Sequence, residues 1–116
     1  MKLETLVKRF QTSGYVPKGL PRDEECQSIM KWLYKEHNIF VSALYMHLNF
    51  HTKPSTYLKF VGSYRYHCGT DLDIYYTAKT YFDNPYDAYF DALRHLLPAF
   101  KFQAQFNQTK NESKSI

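Results

Sequence analysis

The feature that most constrains this chain is a change of hydrophobic period at Ile39. Apolar residues three and four apart precede it, and runs alternating every second residue follow. Before the switch, Leu3, Leu6, Val7 and Phe10 make the stripe of an amphipathic helix over about residues 2–13, ended by Gly14. The stretch Gly14-Tyr15-Val16-Pro17-Lys18-Gly19-Leu20-Pro21 reads as a loop, because its glycines and prolines continue neither neighbour as helix. Asp23, Glu24 and Glu25 suit the positive end of a helix dipole. Cys26, Ile29, Met30 and Leu33 then repeat at helical spacing as far as His37-Asn38, with Trp32 off the stripe and covering its edge.

After the switch, three alternating runs predict three strands. In the first, Phe40, Leu44, Met46, Leu48 and Phe50 face one way and Ala43, Tyr45, His47, Asn49 and His51 the other, up to a turn at Lys53-Pro54-Ser55. In the second, Leu58, Phe60, Gly62, Tyr64 and Tyr66 oppose Tyr57, Lys59, Val61, Ser63 and Arg65. Cys68-Gly69-Thr70-Asp71 closes a second hairpin, and the third run turns Leu72, Ile74, Tyr76, Ala78 and Phe82 inward against Asp73, Tyr75, Thr77, Lys79 and Tyr81. Asn84-Pro85 starts a last helix, with Ala88, Tyr89, Ala92, Leu93, Leu96 and Leu97 as its buried stripe; Pro98 bends or stops it. Beyond it Phe100, Phe102, Ala104 and Phe106 alternate, so a short fourth strand is the alternative to a frayed helical end.

The order ααβββα(β) predicts one α+β domain over residues 1–106, a three-stranded (or four-stranded) antiparallel meander with helices packed on one face. Residues 107–116 read as a disordered polar tail. Matching apolar faces sets Phe50 opposite Leu58 and Leu48 opposite Phe60. Across the next pair, Tyr64 meets Ile74, Phe60 Ala78, Arg65 Asp73, Ser63 Tyr75, Lys59 Lys79 and Tyr57 Tyr81.

At 116 residues, a two-domain enzyme is excluded, and no apolar run approaches the roughly 18–20 residues of a membrane span. The charged N-terminus lacks a signal-peptide core, so a cytoplasmic protein without membrane contact is expected. Aromatic residues make up 18% of the chain, more than one small core hides, so the outer sheet face is where function is sought. That face is expected to carry Tyr45, His47, His51, Tyr57, Lys59, Arg65, Tyr75, Lys79 and Tyr81. Tyrosines beside cations anchor a protein partner, stack bases while Lys and Arg meet phosphates, or simply stabilise the meander as cross-strand pairs. Opposed Lys59 and Lys79 favour an anionic partner, since like charges across a ladder cost stability.

His47 and His51, with His67-Cys68 downstream, have the residue types of a zinc site. The predicted register separates them by roughly 20 Å, too far for ligands that must converge on one ion. Asp87 and Asp91 share a helical face at i, i+4, but acids in the first turns serve the helix terminus and solubility. No Gly-rich phosphate loop, nucleophile elbow or HExxH occurs, so no enzyme, cofactor or metal is expected. The first 22 residues hold five of the 15 basic side chains, Lys2, Lys8, Arg9, Lys18 and Arg22, as an anion-binding edge or a solvated helix face.

The run "CQSIMKWLYKEHNIFV" at Cys26 to Val41, the later "NPYDAYFDALRHLL" at Asn84 to Leu97, and Gly14-Tyr15-Val16-Pro17 resemble small uncharacterised proteins of phage and mobile-element regions in Bacteroidetes genomes. The resemblance covers most of residues 10–97 and carries over no catalytic residue. The Tyr-rich strands and the Phe-rich stretch after Pro98 depart from its pattern. It implies a small protein that acts by binding, as inhibitors of host defence machinery such as anti-CRISPR proteins do. The expectation is a non-enzymatic accessory protein that binds a protein or nucleoprotein complex through Tyr45, Tyr57, Lys59, Arg65, Tyr75, Lys79 and Tyr81. The alternative is single-stranded RNA or DNA stacked on the same tyrosines.

Overall fold

The computed structural model describes the backbone of residues 1–49, 56–68 and 72–114, and the side chains of residues 1–45, 59–67 and 73–100. The expected turn at Lys53-Pro54-Ser55, the positions of Phe50 and His51, and the tip Gly69-Thr70-Asp71 lie outside the described residues. The order is α1 (Leu3–Gln11), α2 (Arg22–His37), β1 (Phe40–Asn49), β2 (Thr56–Cys68), β3 (Leu72–Phe82) and α3 (Pro85–Lys114). The fold is the expected α+β meander, a three-stranded antiparallel sheet in the order β1-β2-β3. The fourth strand is not made: α3 runs through Pro98 and takes in Phe100, Phe102, Ala104 and Phe106.

α3 organises the core. Asn84 caps it through Oδ1, which accepts the Asp87 N–H at 2.9 Å, while Asn84 Nδ2 donates to Asp87 Oδ2 at 2.8 Å. Pro85 at the first helical position gives up an amide that had no intrahelical partner. The helix crosses all three strands and packs tightly on Gly62 of β2. A Cβ at Gly62 would fall 2.8 Å from the Ala92 Cβ and would collide with the Ala88 carbonyl oxygen. Leu93, Leu96, Leu97 and Phe100 bury among Leu6 and Phe10 of α1 and Ile29 and Leu33 of α2. α3 lies across the sheet, while α2 packs on α3 and β1 and α1 packs on α3. Trp32 sits at the edge of its stripe as expected, edge-on to Phe10, Tyr15, His37 and Phe100.

The register differs from expectation in two places, each with a local cause. α2 ends on Asn38 in the left-handed conformation (φ 56°), where the Ile39 N–H donates to the Leu33 carbonyl at 3.1 Å and the Asn38 N–H to that of Tyr34 at 3.2 Å. That turn drives Ile39 fully into the core. Alternation from Ile39 then puts Val41, Ala43 and Tyr45 on the helix side, and Phe40, Ser42 and Leu44 on the helix-free side. The pairing follows suit, with Phe40 opposite Arg65, Leu44 opposite Val61, Tyr45 opposite Phe60 and Leu48 opposite Tyr57. The expected Leu48 to Phe60 and Phe50 to Leu58 pairings are therefore replaced, Leu58 now facing His47.

Between β2 and β3 the faces are as expected but the level shifts. Tyr64 meets Tyr76, Tyr66 meets Ile74, Arg65 meets Tyr75 and Ser63 meets Thr77. An irregularity between Val61 and Ser63 then brings Val61 opposite Tyr81 and Phe60 opposite Phe82. The extra residues of β3 bulge out beside Gly62, where α3 packs tightly and leaves room for no side chain. Lys59 no longer faces Lys79, and Tyr57 no longer faces Tyr81.

Candidate functional site

The helix-free face of the sheet carries an open groove of about 480 Å³. β1 supplies Phe40, Ser42 and Leu44, β2 supplies Ser63, Arg65 and His67, and β3 supplies Asp73 and Tyr75. Val61 and Ser63 point away from α3 yet are only 0% and 1% exposed, so the face is closed over its middle strand rather than flat. The floor is polar but satisfied, since the register partners Ser42 and Ser63 share a hydrogen bond at 2.7 Å between hydroxyls. At one end Asp73 takes Arg65 Nη2 at 2.9 Å on Oδ2 and lies 3.1 Å from His67 Nδ1 through Oδ1. At the rim stand large exposed rings: Phe40 at 53%, Tyr75 at 59% and, from α2, Tyr34, whose ring meets Phe40 edge-on at 4.6 Å.

The sequence-predicted residues divide. Arg65 and Tyr75 line the groove, while Tyr81 is exposed opposite Val61 on the same face. Lys59 also lies on this face and is paired with Asp83 rather than opposed to Lys79. Lys79 is exposed within the bulged stretch. Tyr45 was expected here and is instead on the helix side against Phe60, ring centroids 4.9 Å apart, because the turn at Asn38 sets the face of β1. The side chains of Tyr57, His47 and His51 lie outside the described residues. Backbone pairing still sets His47 at Leu58, roughly 30 Å along the strand from His67. Among the described residues no group of three His, Cys, Asp or Glu side chains could hold a metal ion.

Sequence reasoning missed Tyr34, Phe40, Ser42, Leu44 and His67 at this site. The sequence offered Ile39 and Val41 as a competing apolar set at the strand start, but against Phe40 and Leu44 they do not by themselves choose the inner face.

The acids single themselves out differently. Asp87 pairs with Arg22 at 2.5 Å, and the Asn84 and Arg22 hydrogen bonds hold its carboxyl below the usual range. Asp91 is buried, with Oδ1 2.8 Å from Arg94 Nη2 and 3.5 Å from His95 Nε2, and its Oδ2 has no hydrogen-bond partner. Since Asp87 and Asp91 are each engaged by different cations, they form no shared-proton pair. Burial pushes the Cys26 thiol up to about 11, which keeps it protonated and unreactive at neutral pH.

No helix among the described residues is long and apolar enough to cross a membrane. Comparison with protein-family models, with curated proteins and with solved structures finds no match to this chain.

Proposed function

We propose that this chain is a non-enzymatic binding protein that docks a protein surface into the groove on the helix-free face of its sheet. The observation that carries this reading is the exposed pair Phe40 and Tyr75 flanking a recessed floor. Large rings at the rim of a concave, internally satisfied surface are the usual anchors of protein interfaces. Electrostatics favours protein over nucleic acid. Lys59 is matched by Asp83 and Arg65 by Asp73, so two of the three cations expected to meet a phosphate backbone, Lys79 being the third, already have carboxylate partners. Tyr81 extends the same surface beyond the groove. In the phage or mobile-element setting that the sequence resemblance implies, such a face acts by occupying part of a host nucleoprotein complex, in the manner of an anti-CRISPR inhibitor.

The test is capture of partners by the tagged protein from host lysate, with and without nuclease, beside the doubly substituted Phe40→Ser/Tyr75→Ser chain. A protein recovered after nuclease treatment and lost with the double variant supports the reading. Recovery of single-stranded RNA or DNA alone, or a partner held equally well by the variant, overturns it. Both substituted side chains are more than half exposed, so circular dichroism should report an unchanged fold.

A further inference from the structure

A second surface adjoins the sheet groove at Tyr34, where the loop after α1 folds against the outer side of α2. It is a cleft of about 570 Å³ lined by Lys18 from the loop and Lys31 and Lys35 from α2, together with Val16, Trp32 and Tyr34. Among the described residues none of the three ammonium groups has a carboxylate partner, in contrast to Arg22, Lys59, Arg65 and Arg94. Lys35 in the last turn of α2 complements the helix dipole, but Lys18 and Lys31 have no such structural role. Lys18, Lys31 and Lys35 outnumber Glu36, the acid of the same lining, so the cleft carries net positive charge and attracts an arriving anion.

We propose that this cleft binds a short acidic peptide segment, its carboxylates on Lys18, Lys31 and Lys35 and an apolar side chain against Val16 and Trp32. Val16 is 75% exposed, an apolar residue in open solvent at the edge of a positively charged cleft. Two features favour a peptide over a nucleic-acid strand. Tyr15 is buried and Trp32 is half-buried among four neighbouring rings, which leaves Tyr34, 54% exposed, as the open ring of this cleft, whereas a nucleic-acid strand stacks successive bases on several. The positive stretch is also short. Glu36 lines the cleft itself, and Glu24 lines the adjoining depression that shares Lys18 and Lys31, so a continuous phosphate backbone would meet acids as well as lysines.

Trp32 is the only tryptophan of the chain, so its fluorescence reports on this cleft. The full chain is titrated with a synthetic peptide of one Phe followed by two Glu, with the same peptide carrying Lys for Glu, and with single-stranded oligothymidylate. The expected result is a saturable change of emission with the Glu peptide that fades with added salt. Affinity falls roughly tenfold or more in Lys31→Glu/Lys35→Glu and less in Lys31→Gln/Lys35→Gln, while Tyr75→Ser on the sheet groove leaves it unchanged. The Gln pair keeps the test open should the Glu pair fold poorly. No saturable change, an equal response to the Lys peptide, tighter binding of the oligonucleotide, or affinity unmoved by either lysine pair overturns the proposal. None of these readouts depends on the sheet-face partner, so the two proposals fail separately.

Discussion

Glu25 stands in the first turn of α2, where an acid is expected to serve the helix dipole, yet it is only 3% exposed. It accepts the Tyr15 hydroxyl hydrogen and the Lys18 and Leu20 amides at 3.3 and 3.1 Å, which ties the loop after α1 onto α2. Burial alone would raise its pKa, but the donated hydrogen bonds win and hold the carboxyl below its ordinary value of 4.5. For Tyr15, burial and then the carboxylate beside it push the phenol up to about 12. The two shifts bracket a pH window. Glu25 stabilises the fold above its unfolded pKa, and that contribution disappears as pH falls through its lowered folded value. Tyr15 stabilises it below pH 10, a contribution lost as pH rises towards 12. Urea unfolding midpoints measured across acid, neutral and alkaline pH should therefore show a plateau between these limits, lower but extended on the acid side in Glu25→Gln, which no longer titrates there. At neutral pH Glu25→Ala should cost about 3 kcal/mol, since it strands three donors, one of them buried. The clasp was legible in the sequence only as a helix-start signal. That Glu25, and not Asp23 or Glu24, turns inward depends on where Tyr15 arrives from α1.

At the scale of elements the critical contact is α3 on β2. Ala88 and Ala92 leave a shallow notch, and Gly62 presents bare backbone to it. Gly62→Ala should cost about 2–3 kcal/mol, because the new methyl meets the Ala88 carbonyl oxygen and neither helix nor strand backbone yields cheaply. Chemical denaturation of that single variant checks the figure, and a loss under 1 kcal/mol would mean that α3 slides freely on the sheet. Most element identities were legible. The stripe of α1, the start of α3 at Asn84-Pro85 and the inward faces of β2 and β3 follow from spacing and from the chemistry of the caps. What was not legible has identifiable causes. Phe40, Leu44, Met46, Leu48 and Phe50 form a consistent apolar set, but so do Ile39 and Val41, and a strand apolar on both sides does not name its own inner face. The segment beyond Pro98 alternates like a strand, yet helix continues there with Phe100 buried among α1 and α2.

Over the whole molecule, α3 packs on the sheet with one side and on α1 and α2 with the other, and recessed surfaces lie on the helix-free face of the sheet and on the outer side of α2. The two meet at the Tyr34 and Phe40 ring pair, where the end of α2 abuts the start of β1. Their electrostatics differ, and so should their response to salt. Binding at the sheet groove, where Arg65 and Asp73 are paired, should change little with ionic strength. Binding at the lysine cleft should weaken steadily as screening increases. Isothermal titration across a salt series, with Tyr75→Ser and Lys31→Gln/Lys35→Gln as reporters, separates the two; a steep dependence at the sheet groove would return nucleic acid to consideration there. The sequence by itself determined the type and order of the elements as far as Pro98, because hydrophobic period and cap chemistry act within a few residues. Only the tertiary structure decided which face of β1 turned to solvent, which acid met Lys59 and which lysines share a cleft. Those outcomes depend on the left-handed turn at Asn38, the bulge beside Gly62 and the fold of the loop onto α2, where segments distant in the chain must fit against each other.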